Sequence, residues 1–242
     1  MKQQKHYILM LGTRDKTDFG MYLSHVFSGL DKKVLLVDST EKQLYRDGYT
    51  TLGKDRYLYD FQGVDILTGV KDWNSINTLL EKEDEKLSTY DVVLVDVDNL
   101  QNSLADWSGI NTQLYVGDYE RMNMQKDKQL LTRYIDETGN NEFFHISYYV
   151  RNKLEPDFFD ELTGYRIQWK SLPIEIEFDE VDLQLRIIMQ HNLQIPFKRL
   201  SNGYKEALTS IVTAIYGLHK KEVMSVFNHS FMRIPRKLLT AE

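Results

Sequence analysis

Two acidic residues close apolar runs of this chain, Asp38 after Val34 to Val37 and Asp96 after Val92 to Val95. A carboxylate at the C-terminal end of a buried strand stands at the edge where doubly wound α/β folds take their ligands. Lys16 and Thr17 follow the apolar run Tyr7 to Leu11 and Gly12, and precede Phe19, Met21, Tyr22, Leu23, Val26, Phe27 and Leu30 at helical spacing. A Lys-Thr pair between strand and helix has two readings. It supplies a cation and a hydroxyl to an anion, or it begins a helix that Thr17 or Asp15 caps. Other chemistries are poorly supplied. Cysteine is absent, which removes disulfides, thiolate metal sites and a cysteine nucleophile. His6, His25, His145, His191, His219 and His229 show no metal-ligand spacing, and none joins a Ser or acid in a nucleophile motif.

The elements that must carry these residues are apolar runs alternating with helical patterns. Val64 to Leu67, Gln113 to Val116 and the aromatic run Phe143 to Val150 read as further strands, and Asn74 to Leu87 as an acidic helix. The final third holds the apolar segment Leu183 to Ile188. It also holds a helix over Tyr204 to His219, where Ala207, Leu208, Ile211, Val212, Ala214 and Ile215 form one stripe. Strands apolar on both faces require helices on both sides, hence an α/β, doubly wound, mostly parallel sheet. With 242 residues, four prolines and no Gly/Ser-rich linker, one domain spanning residues 1–242 is expected, with a basic tail over 220–242.

The run Leu11-Gly-Thr-Arg-Asp-Lys-Thr-Asp-Phe-Gly, followed after a helix by Lys32-Lys-Val-Leu-Leu-Val-Asp, resembles the start of the ParA/MinD family of deviant-Walker P-loop ATPases. Val64-Asp-Ile-Leu-Thr-Gly looks like that family's strand before switch II, and Tyr90-Asp-Val-Val-Leu-Val-Asp like its Walker B strand. Tyr149-Val-Arg-Asn-Lys-Leu resembles the strand ending in a base-contacting Asn, and Leu172-Pro-Ile-Glu the proline turn that follows. The resemblance implies ATP or ADP with Mg²⁺ as cofactor. If binding is retained, Gly12, Lys16, Thr17 and Asn152 would hold the nucleotide, and Thr17, Asp38 and Asp96 the metal. The alternative is no cofactor at all, with Asn152 a plain turn residue.

Departures from the family pattern bear on activity. A phosphate loop works because glycines let backbone N–H groups close around phosphate, with a Lys charge and a Ser/Thr hydroxyl for Mg²⁺. Asp15 stands where the family has Gly before the Lys, adding a Cβ and a negative charge. Such a charge about 4 Å from a phosphate oxygen costs roughly 4 kcal/mol at an effective dielectric of about 20, on the order of a thousandfold in affinity. The family's signature Lys falls at Leu11, and the second switch I acid at Thr40. Without transition-state charge stabilisation and water positioning, little turnover is expected, and the catalytic residues are expected to be none.

The resemblance, with these departures, implies a pseudo-ATPase acting as a homodimeric positioning or scaffold factor for a membrane-associated, pilus or secretion machine, similar to the TadZ-like localisation factors and dimerised face to face over the nucleotide site. An active DNA-partition ATPase with nonspecific DNA binding is the alternative. A formal charge of −6 and a pI near 5.6 disfavour a surface built throughout for nucleic acid. The stretch Leu44 to Phe61 mixes aromatic and basic groups, and Tyr45, Arg46, Tyr49, Arg56 and Tyr57 are its candidate surface for a protein partner. The polar start, Met1 to His6, carries no signal or membrane stretch, so a cytoplasmic protein is expected. The basic, apolar C-terminus leaves recruitment to the inner membrane face as a minor expectation, with Pro235 interrupting any anchoring helix.

Overall fold

The structure is a computed structural model and describes residues 5–49, 56–99, 107, 109–150 and 158–228. Nine strands form one sheet: β1 (His6–Leu11), β2 (Val34–Asp38), β3 (Leu58–Phe61), β4 (Val64–Leu67), β5 (Val92–Val97), β6 (Thr112–Asp118), β7 (Glu142–Tyr149), β8 (Gln168–Trp169) and β9 (Ile174–Glu177). The helices are α1 (Thr17–Gly29), α2 (Leu44–Tyr49), α3 (Trp73–Glu81), α4 (Arg121–Thr138), α5 (Phe158–Leu162), α6 (Glu180–Asn192), α7 (Asn202–Tyr216) and α8 (Lys220–Val226).

The sheet runs β3-β4-β2-β5-β1-β6-β7, with β8 and β9 both pairing β7. Every pairing is parallel except β3 with β4. Residues of β1 alternate between two cores, as the period-2 side-chain alternation of a strand demands. Ile8 and Met10 join the core under α1, α6, α7 and α8, whereas Leu9 and Leu11 join the core under α3 and α4. Helices therefore cover both faces, which is the expected doubly wound architecture. Chain order leaves β1 between β5 and β6, so the loop after β1 opens at a switch point of the sheet, where such folds leave a crevice.

Several local expectations need revision. The helix expected over Asn74 to Leu87 stops at Glu81, because the chain turns back at Leu80, whose carbonyl accepts from Glu83 and Glu85, and Asp84 takes φ +57°. The apolar segment Leu183 to Ile188 lies inside α6, with Leu185 buried and Leu183 and Ile187 exposed. The stretch Leu44 to Phe61 contains α2 and the edge strand β3. Within it, Tyr45 and Tyr49 are not surface residues: they are 0% and 2% exposed, four apart on the buried face of α2. Arg46 is half-buried, and Arg56 and Tyr57 are exposed. Of the basic tail, α8 covers Lys220–Val226 and residues 229–242 lie outside the described residues. Among the described residues, no helix is long and apolar enough to cross a membrane.

Candidate functional site

The fold brings Gly12, Lys16, Thr17, Asp38 and Asp96 to one place, the C-terminal edge of β1, β2 and β5. Lys16, Thr17 and Asp96 line a cleft of about 370 Å³ together with Thr13, Arg14 and Asp15, while Gly12 and Asp38 are not part of its lining. Asn152 lies outside the described residues.

Gly12 leaves β1 at φ +148°, and a Cβ there would sit 2.1 Å from the Val116 carbonyl oxygen, so the loop can pass β6 only without a side chain. Lys16 ends the loop, 2% exposed, with its ammonium turned inward. It pairs with Asp96 Oδ1 at 2.8 Å and donates to the carbonyl oxygens of Gly12 and Val97. The second oxygen of Asp96 accepts the Tyr45 hydroxyl at 2.7 Å. Burial drives the Asp96 carboxyl upward, and the Lys16 charge opposes this. The same Tyr45 hydroxyl lies against α1, 2.3 Å from where a Cβ on Gly20 would be.

Asp38 is equally occupied. Its Oδ1 accepts the Thr40 N–H at 3.0 Å and the Thr40 hydroxyl at 2.6 Å, and its Oδ2 accepts the Tyr45 N–H at 3.2 Å. Burial pushes this carboxyl up to about 7; the Thr40 hydroxyl opposes the rise and the Asp96 charge adds to it. Thr40, where the resembled family has an acid, thus serves as a donor to its neighbour.

The loop backbone also finds internal anions. Asp127 of α4, 0% exposed, accepts both the Thr13 N–H at 2.6 Å and the Thr13 hydroxyl at 2.7 Å, and its other oxygen accepts Tyr115 at 2.9 Å. Asp15 accepts the Thr17 N–H at 3.0 Å and the Thr17 hydroxyl at 2.8 Å, and pairs with Arg186 of α6. Burial raises the Asp15 carboxyl, but the Thr17 N–H, Arg186 and the Thr17 hydroxyl outweigh it and hold it below the usual carboxylate range. No residue from Thr13 to Thr17 takes a positive φ, so the alternating backbone that curls successive N–H groups into an anion nest is not formed. An entering phosphate would have to displace Asp15 from Thr17. A divalent ion would have to displace Tyr45 from Asp96. In this arrangement the residues do not fit a magnesium nucleotide.

Asp127 and Arg186 are the site residues that sequence reasoning missed, and Tyr45, expected on a partner surface, belongs to the buried site instead. Asp127 sits in a helix with few apolar residues, and Arg186 is distant in sequence. The four-residue spacing of Tyr45 and Tyr49 was the one available signal that their rings share a buried helix face.

No protein-family model and no curated protein matches the sequence. Solved structures do match in fold. A ParA family ATPase from Chlorobium tepidum aligns over 94% of this chain and 99% of its own, at 12% identity and a TM-score of 0.54. The MinC:MinD cell division protein complex of Aquifex aeolicus aligns over 96% of this chain and 99% of that chain, at 15% identity and 0.55. Apo McdA from Cyanthece aligns over 85% of this chain and 100% of its own, at 11% and 0.51. The fold is therefore that of the ParA/MinD P-loop NTPases.

Proposed function

We propose that this chain is a pseudo-ATPase on the ParA/MinD fold, a homodimeric positioning or scaffold factor whose former nucleotide cleft serves stability instead of turnover. The observation that carries this reading is the closed set Lys16, Asp96 and Tyr45. The ammonium pairs with Asp96 at 2.8 Å, and the remaining carboxylate oxygen is taken by Tyr45 at 2.7 Å. A phosphate-binding cation and a metal-binding acid are most useful when they are unsatisfied before ligand arrives; here each satisfies the other. Leu11, fully buried in the core, and Thr40, bonded to Asp38, supply neither the cation nor the water-orienting acid of the resembled family.

The positioning role draws on the neighbours' own names, a ParA family ATPase and the MinC:MinD cell division complex. In this reading the cleft-side face meets a second copy, and a protein partner recruits the dimer to its machine. Calorimetry with ATP and ADP in Mg²⁺, a turnover assay with Lys16→Ala as control, and sedimentation without nucleotide test the reading together. The expected result is no turnover above the control and a dimer that forms without nucleotide. Wild-type hydrolysis that DNA stimulates and that a folded Lys16→Ala protein lacks would replace it with an active partition ATPase.

A further inference from the structure

Of the groups that occupy this loop, Asp15 is the one at its mouth. Asp15 takes three donors that a phosphate oxygen would use: the Thr17 N–H at the start of α1, the Thr17 hydroxyl, and the Arg186 guanidinium. Its side chain is 36% exposed and faces the cleft, whereas Lys16 and Asp96 behind it are sealed. We propose that Asp15 is an internal counter-anion that plugs an oligophosphate site, and that Arg186 is a phosphate-binding residue of that site held in reserve by the plug.

The inference rests on the pseudo-ATPase reading for the wild-type chain and adds what makes it so. Arg186 comes from α6, outside the loop; it is not itself part of the cleft lining, but it is 23% exposed and reaches the cleft's edge through its pair with Asp15, which does line it. A guanidinium suits phosphate because its planar fork donates two parallel hydrogen bonds. Asp18 and Tyr49 also act on Arg186, and Asp18 is its remaining acidic neighbour once Asp15 is gone. One Asp18 oxygen accepts Tyr204 at 3.2 Å and Tyr148 at 3.4 Å, and the other is buried without a hydrogen-bond partner, so Asp18 keeps Arg186 close to the site when Asp15 is removed. Removing the charge at position 15 frees the Thr17 donors and the Arg186 fork that Asp15 holds, so both become available to an incoming anion.

Calorimetric titration of the full chain with inorganic pyrophosphate, and separately with ADP, tests this on wild type, Asp15→Gly, Asp15→Asn and Asp15→Gly combined with Arg186→Ala. Asp15→Gly should bind either probe roughly 10- to 1,000-fold tighter than wild type. Asp15→Asn, which keeps the side-chain shape, should show a smaller gain of the same sign. Adding Arg186→Ala should remove at least about tenfold of that gain. Gain with ADP alone would assign the site to nucleotides, and equal gain with both would assign it to the oligophosphate group. Folded Asp15→Gly and Asp15→Asn proteins that bind no tighter than wild type would overturn the plug, and a gain that survives Arg186→Ala in full would overturn the role of Arg186. Wild-type ATP turnover would instead sink the pseudo-ATPase reading, so the two failures are distinguishable.

Discussion

The Tyr45 hydroxyl stands 2.7 Å from Asp96 Oδ2 and 2.3 Å from the point a Cβ on Gly20 would occupy. One oxygen atom thus joins α2 to β5 and fixes the residue type on α1. Tyr45→Phe removes the donor and leaves a buried carboxylate oxygen unsatisfied, which should cost about 1–3 kcal/mol in urea denaturation. Gly20→Ala should cost a similar amount by overpacking, because the Tyr45 ring is fully buried and its hydroxyl is held by Asp96 where the new methyl would sit. The two losses should not add, since Tyr45→Phe vacates the oxygen that the new methyl strikes. A double-mutant cycle giving a coupling of roughly 1 kcal/mol or more would confirm the shared contact.

Lys16 offers a sharper contrast between a structural and a ligand-binding residue. Its pair with Asp96 has side chains 1% exposed on both sides, and removing one partner strands a buried charge. Lys16→Ala should therefore destabilise the nucleotide-free protein by about 3–5 kcal/mol. A Lys kept only for ligand would leave unliganded stability nearly unchanged. Lys16→Met combined with Asp96→Asn should recover part of the loss, because neither charge then remains buried, and thermal denaturation of the three proteins measures it.

How far the sequence revealed this arrangement depends on what each residue buries. β1, β2 and β5 were legible because they are apolar on both faces, and the acids at the ends of β2 and β5 mark the sheet edge with no long-range information. Helix α4 was not legible. Its 18 residues bury only Met124, Asp127, Leu130, Leu131 and Tyr134, and Asp127 is held there by Thr13 and Tyr115, partners no periodicity can supply. The mixture of Tyr and Arg in Leu44 to Phe61 suggested an interface, yet Tyr45 and Tyr49 are core residues because Asp96 and the ring of Phe61 give their polar and aromatic parts a buried partner. From its position before Lys16, Asp15 is a charge hostile to phosphate. That it is satisfied by Arg186, 171 positions away, is a property of the fold alone.

Several buried groups shape the pH dependence of stability, and Asp38 and His25 act with opposite signs; His145, lowered by burial to about 4, acts in the same sense as His25. Asp38, raised by burial to about 7 from 3.8, holds its proton in the folded chain at pH values where the unfolded chain has lost it. Its contribution is full below about pH 4 and is lost as pH rises through about 7. His25, lowered by burial to about 4 from 6.5, contributes stability above about 6.5 that is lost as pH falls through about 4. The two slopes oppose each other across the same window in wild type. Asp38→Asn removes one of them, so its unfolding free energy should rise with pH between about 4 and 6.5 by up to roughly 1.4 kcal/mol per unit more than that of wild type. Parallel slopes in denaturant titrations at pH 4.5, 5.5 and 6.5 would show that Asp38 does not bind a proton on folding.

Gly12 and Gly139 both take positive φ, +148° and +74°, yet a side chain would meet different surroundings at each. At Gly12 the Cβ would strike the Val116 carbonyl oxygen at 2.1 Å, a backbone atom of a central strand that cannot move without breaking the β6 ladder. At Gly139, the left-handed C-cap of α4, nothing lies within 4 Å. Gly139→Ala should therefore cost only the conformational penalty of a left-handed residue, about 1–2 kcal/mol. Gly12→Ala pays a comparable backbone penalty and a clash as well, and should cost about 3 kcal/mol or more, enough to leave a domain of ordinary stability marginal. Thermal melts of the two variants should separate by many degrees. Equal melting temperatures would mean that the loop after β1 can shift away from β6, and that the close approach of Gly12 to Val116 does not constrain it.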